Sequence, residues 1–108
     1  MQTKTKNYML KATVLYGHPI DTDAFEKYYA ETHTPIALKM EVDKMELTKF
    51  LSAPDGGKPA YYRMAELYFA SPAEMQQSMG SSEGQATAAD LANFATGGVT
   101  MIIGAVEN

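Results

Sequence analysis

The sequence predicts a single α+β sandwich built from two β-α-β units joined by a hairpin. Three observations carry this. Four short segments have strand periodicity, two capped helical stretches separate the first pair and the last pair, and a Pro-Asp-Gly-Gly loop links the middle two. A chain of 108 residues, 45% apolar and 20% charged, fits one domain with one core.

Residues 1–7 read as a flexible basic tail and residues 8–108 as the domain. Tyr8 to Tyr16 alternates with apolar character on both faces and forms the first strand. Gly17 and Pro19 end it. Asp21 or Thr22 can cap the helix that follows, with Asp23 and Glu26 in its first turn, where carboxylates suit the positive end of the helix dipole. Phe25, Tyr28, Tyr29, Thr32 and Ile36 form its apolar stripe. Pro35 disfavours helical geometry at Thr34, so this helix is expected to stop near His33, with Thr34 capping a short second turn through Lys39. Met45 to Leu51 alternates as the second strand. Ser52 to Ala60 is turn chemistry throughout. Tyr61 to Ala70 is the third strand, with Ala65, Leu67 and Phe69 on one side and Tyr62, Met64, Glu66 and Tyr68 on the other. Ser71-Pro72-Ala73-Glu74 is a capping box with proline at the first helical position. Gly80 interrupts this helix, Ser82 with Gln85 can restart it, and Gly97-Gly98 stop it. Val99 to Val106 is a final, nearly all-apolar strand. The order describes a ferredoxin-like sandwich: a four-stranded antiparallel sheet with both helices on one face.

Composition narrows the function. A net charge of −4 with a single arginine leaves no basic stripe, so no nucleic-acid partner is expected. No apolar run approaches the ~18 residues of a membrane span, and the N-terminus lacks the apolar core of a secretory signal. A cytoplasmic protein is expected. Cysteine is absent, which removes disulfides, thiol nucleophiles and thiolate metal sites. His18 and His33 lack the spacing of a metal pair, and Gly56-Gly57-Lys58 lacks a phosphate-loop context, so neither metal nor cofactor is expected. Eight methionines point to an adaptable apolar interior.

With helices on one face only, strands apolar on both sides leave the other face open to water. A second copy covering it is the simplest symmetric answer, which predicts a homodimer with its two sheets packed face to face.

Several of these residues carry a family resemblance. Leu15-Tyr16 with Pro19, Phe25 with Tyr28-Tyr29, His33 with Pro35, and Ala65-Glu66-Leu67 with Phe69 together resemble the EthD family. That family is named for a protein linked to ethyl tert-butyl ether degradation and belongs to the dimeric α/β-barrel superfamily. The resemblance runs from about Tyr8 to Val106. It implies the same dimeric barrel, in a superfamily that hosts oxygenases, isomerases and aromatic polyketide cyclases.

His33 is the sharpest candidate for chemistry. Phe25, Tyr29 and His33 share a helical face, and a histidine held against tyrosines can move protons near neutral pH; it can equally cap its own helix. Tyr29 and Glu66 complete the expected catalytic group. A carboxylate among aromatics on the third strand is a proton-transfer candidate, unless it pairs with Lys49 or Arg63. Tyr16, Tyr28, Tyr62, Met64 and Tyr68 are the expected substrate-binding residues, walling a barrel pocket for an apolar or aromatic molecule. Two readings follow: an enzyme performing proton transfer or cofactor-free oxygenation, or a non-catalytic binding or accessory protein of an oxidative degradation system.

Overall fold

The computed structural model describes residues 8–107, so the tail expected over residues 1–7 lies outside the described residues. Strands β1 (Leu10–Tyr16), β2 (Lys44–Lys49), β3 (Arg63–Phe69) and β4 (Val99–Ala105) form one antiparallel sheet. Its order is β2-β3-β1-β4, the ferredoxin-like arrangement. Pairing sets Ala12 opposite Leu67 and Val14 opposite Ala65. The buried side chains of the two central strands, Ala12, Val14 and Tyr16 with Ala65, Leu67 and Phe69, therefore all point to the helices.

The opposite face is more polar than the strand patterns suggest. Lys11 Nζ donates to Glu66 Oε2 at 2.6 Å, the Lys44 ammonium lies 4.5 Å from the centre of the Tyr68 ring, and the Tyr68 hydroxyl donates to Glu46 at 3.1 Å. Apolar exposure is concentrated instead on the edge strand β4, all seven residues of which are exposed, with Ile102 and Ile103 each at 54%.

Helix α1 (Thr22–Tyr28) is capped by Asp21, whose Oδ1 accepts from the Ala24 N–H at 3.0 Å. The expected stop at His33 does not occur. The chain stays helical through a π turn, Tyr29–His33, and into α2 (Thr34–Ala37), and Thr34 has helical φ and ψ of −59° and −44°. Pro35 lacks an N–H and its ring crowds the carbonyl four residues back. Widening the turn by one residue, so that the Thr34 N–H reaches the Tyr29 carbonyl, accommodates it without breaking the helix.

Helix α3 (Pro72–Gly80) begins as its capping box predicts, with Ser71 Oγ accepting from the Glu74 N–H. Ser81, not Ser82, caps α4 (Ser82–Asp90): its hydroxyl accepts from the Gly84 N–H and donates to the Ser78 carbonyl at 2.6 Å. A single 3₁₀ turn, Leu91–Asn93, then leads to Phe94. Phe94 closes an aromatic cluster with Tyr16, Phe25 and Tyr29, ring centres 5.2–5.9 Å apart.

A charged clamp pins α1 to the sheet. Arg63 Nε and Nη2 each donate to the Glu26 carboxylate at 3.0 Å, and the Tyr62 hydroxyl donates to it at 2.6 Å. Tyr62 is therefore not on the open face with Met64 and Tyr68, where strict alternation sets it. Its N–H bonds the Tyr16 carbonyl while Arg63 is the register partner of Tyr16. Two residues thus oppose one, as in a β-bulge, and both side chains turn toward the helices. The Arg63 guanidinium is the main cause that holds the Glu26 pKa down at about 2, against the cost of burial and with help from Tyr62.

The clamp fixes a direction for acid stability. A carboxyl whose folded pKa is about 2 and whose ordinary value is 4.5 stabilises the fold above the higher value, and that contribution is lost as pH falls toward the lower one. Glu26→Gln should therefore lose less stability than the parent between about pH 5 and pH 3 in urea titrations. A backbone crossing gives a second expectation. A Cβ on Gly97 would sit 2.2 Å from the His18 carbonyl oxygen, whereas one on Gly80 meets nothing within 4 Å. Gly97→Ala should cost about 2 kcal/mol or more in denaturant unfolding, and Gly80→Ala should be neutral or stabilising by up to about 1 kcal/mol.

Candidate functional site

A cleft lies between the helix-covered face of the sheet and the helices. Small side chains create it: Ala12, Val14 and Ala65 on the floor, Ala37, Gly84 and Ala88 above. They leave a narrow, open-mouthed cleft of about 50 Å³. Methionines 40, 45, 79 and 101 supply flexible walls. Among the described residues, the polar groups that reach this lining are few: Tyr16, Tyr29, His33, Thr34 and Thr87.

His33 is 5% exposed, and its geometry is specific. Its ring stacks near Tyr29 at 5.9 Å and lies 4.5 Å from Phe94. Its Nδ1 is 2.9 Å from Asp90 Oδ2. The same carboxylate accepts from the Tyr28 hydroxyl at 2.6 Å and from the Asn93 amide at 3.0 Å, both at Oδ1. Burial works against the Asp90 charge, but the hydrogen bonds from Tyr28, Asn93 and His33 outweigh it and hold its pKa below the ordinary carboxyl value. An ionised acceptor at Nδ1 fixes the proton there. Nε2, on the far side of the ring, has no hydrogen-bond partner among the described residues and is the nitrogen left for the cleft.

Tyr16 and Tyr29 meet edge to face at 5.6 Å. Burial raises the pKa of both hydroxyls; at Tyr29 the Arg63 guanidinium, 4.8 Å from the ring centre, opposes the rise. Both are neutral hydrogen-bond donors near pH 7.

The residues singled out from sequence thus fall into separate places. Tyr16, Tyr29 and His33 come together in the cleft. Tyr28 lies beside it, turned to Asp90. Tyr62 belongs to the Glu26 clamp, where burial and its hydrogen bond to Glu26 push its pKa up to about 12. Glu66, Met64 and Tyr68 lie on the opposite face of the sheet, and Glu66 pairs with Lys11 rather than with Lys49 or Arg63. His18 lies outside the cleft lining, with Nε2 2.7 Å from the Pro59 carbonyl. Asp90 was missed from sequence. Its one signal is position: a carboxylate at a helix C-terminus faces the negative end of the dipole and needs compensating donors. Among the described residues no group of three His, Cys, Asp or Glu side chains is placed to hold a metal ion, and no helix is long and apolar enough to cross a membrane.

The chain is 43% identical over 94 residues to an uncharacterised 11.0 kDa protein of Rhodococcus erythropolis encoded in the thcB-thcC intergenic region, covering 87% of this chain and 91% of that one. Among solved structures it is similar to an ethyl tert-butyl ether d (EthD) family protein of Bacillus halodurans, with a TM-score of 0.84 and 34% identity over 89% of this chain and 96% of that one. It also shares its fold with a DABB family protein of Mesorhizobium loti described as ferredoxin-like, with a TM-score of 0.71 and 17% identity over 94% and 99% of the two chains. The model of the EthD domain matches residues 17–98, and the chain belongs to the EthD family.

Proposed function

We propose that this protein takes an uncharged apolar or aromatic molecule into the cleft and moves a proton on it, with His33 as the general base. One observation carries the reading: a histidine backed by a buried carboxylate is among the few polar groups on an otherwise apolar cleft. Asp90 holds the Nδ1 proton and balances the charge that arises when Nε2 takes a proton. Tyr29 and Tyr16, kept neutral by burial, are the donors available to an oxygen on the substrate. Among the described residues no Lys, Arg, Asp or Glu reaches the cleft lining, so a charged ligand would be buried there without a carboxylate, ammonium or guanidinium partner from them. The chemistry is of the isomerase or cyclase type, and proton removal is equally the opening step of cofactor-free oxygenation. Glu66 has no part in it, since it lies on the other face.

The protein acts as a homodimer in this reading. Support comes from β4, an edge strand exposed along its whole length with Val99, Met101, Ile102 and Ile103 in water. Pairing across the open sheet face would bury Ile102, and pairing along the β4 edge would cover Val99, Met101 and Ile103, which lie on the helix side of the strand.

A thermal-shift screen of neutral phenols and aryl ketones should yield ligands that stabilise the protein. For a ketone among them, exchange of the α-proton with deuterated solvent should be catalysed, and His33→Ala should slow it roughly 10²–10⁴-fold, with Tyr29→Phe reducing it less. Tight binding without exchange would make this a carrier instead. Light scattering should give a dimer at micromolar concentration, and Ile102→Glu should shift it toward monomer; a parent protein that is monomeric there would overturn the dimer.

A further inference from the structure

Tyr28 has no place in the cleft, yet its hydroxyl makes one of the two shortest side-chain hydrogen bonds to a carboxylate near the site, 2.6 Å to Asp90 Oδ1. Asn93 donates to that same oxygen at 3.0 Å, and His33 Nδ1 meets Oδ2 at 2.9 Å. One buried carboxylate therefore divides its charge among three donors, only one of which belongs to the proton-transfer group. The tyrosine is half-buried, packed on Phe94 with ring centres 5.3 Å apart, so its hydroxyl is held at the carboxylate by stacking rather than by chance rotation.

We propose that Tyr28 is a positioning residue that sets the basicity of His33 through Asp90. The inference rests on the reading of His33 as the proton-transfer group. A donor on Oδ1 withdraws charge that would otherwise sit on Oδ2, so the carboxylate holds the imidazole Nδ1 proton less strongly and favours imidazolium less.

The titratable and polar groups that face His33 come from several elements. From α1 and the π turn come Tyr28 and Tyr29, from β1 Tyr16, and from α4 and its 3₁₀ turn Asp90 and Asn93. From β3 only Arg63 approaches, over the Tyr29 ring, and its charge is matched by Glu26. Strands β2 and β4 and helix α3 present methionine and leucine to the cleft: Met45, Leu47, Met101 and Met79.

The chain contains two histidines, so their ring signals can be followed separately by NMR. In Tyr28→Phe, which keeps the ring and its packing, the His33 titration midpoint should move up by about half a pH unit and the Nδ1–H resonance should move downfield. Asn93→Ala should shift both in the same direction by a route that leaves the Tyr28 ring in place. In an Asp90→Asn background, Tyr28→Phe should add nothing. Unchanged midpoint and unchanged Nδ1–H resonance in both single variants would overturn the proposal, even if His33→Ala abolishes proton exchange. If the shifts appear and no turnover is ever found, the coupling stands and the catalytic reading fails.

Discussion

The Asp90 carboxylate is the constraint from which much of the helical layer follows. A carboxylate carried out of water into a protein interior loses several kcal/mol of hydration and must be met by donors. Here it also sits at the C-terminal end of α4, where the helix carbonyls repel it. Three donors from two elements answer it: Tyr28 and His33 from the first helical segment, Asn93 from the turn directly after α4. The first and last helical segments are thereby joined through one point. Phe94, four residues on from Asp90, then lies against the ring of each partner helix residue that matters, Tyr28, Tyr29 and His33. The polar contact fixes direction and the aromatic contacts fix depth.

The two faces of the sheet serve different ends because the central strands carry different residue sizes on each. Toward the helices, Ala12, Val14 and Ala65 are too small to fill the space beneath α2 and α4, and interiors are otherwise close-packed. The resulting gap is lined by apolar side chains on nearly all sides. On the other face, Lys11, Glu66, Lys44, Glu46 and Tyr68 form a continuous polar lattice that satisfies its own charges. It also relieves the direct cross-strand opposition of Glu46 and Glu66.

The strands were legible in the sequence because period-2 alternation survives wherever one face is buried; Ala65, Leu67 and Phe69 are turned to the helices as alternation requires. Alternation failed at Tyr62 because a bulge doubles the residues opposite Tyr16, and nothing in the local sequence marks that register slip. Pro35 reads as a helix stop by local rules, yet tertiary packing of Tyr29 and His33 on Phe94 favours continuing the helix with a widened turn. Tyr16, Tyr29 and His33 were recognisable by residue type and spacing. Asp90 was not, because its relation to His33 spans 57 residues and appears only once the two helical layers are docked. The pocket was expected on the open face, since strand patterns reveal which side chains are apolar but not where their small size leaves a void.

The π turn has a consequence in the phase of the helix. In an α-helix each residue advances about 100° around the axis, so residues five apart, such as Tyr28 and His33, point some 140° away from each other. A turn that closes on the fifth residue instead of the fourth brings them nearly into line. The one extra residue between Tyr28 and Thr34 is what lets two side chains of a single helix converge on one carboxylate, one from the surface and one from the cleft. A chain without that insertion would have to recruit one of the two donors from a different element, and the coupling between surface and cleft would be lost with it.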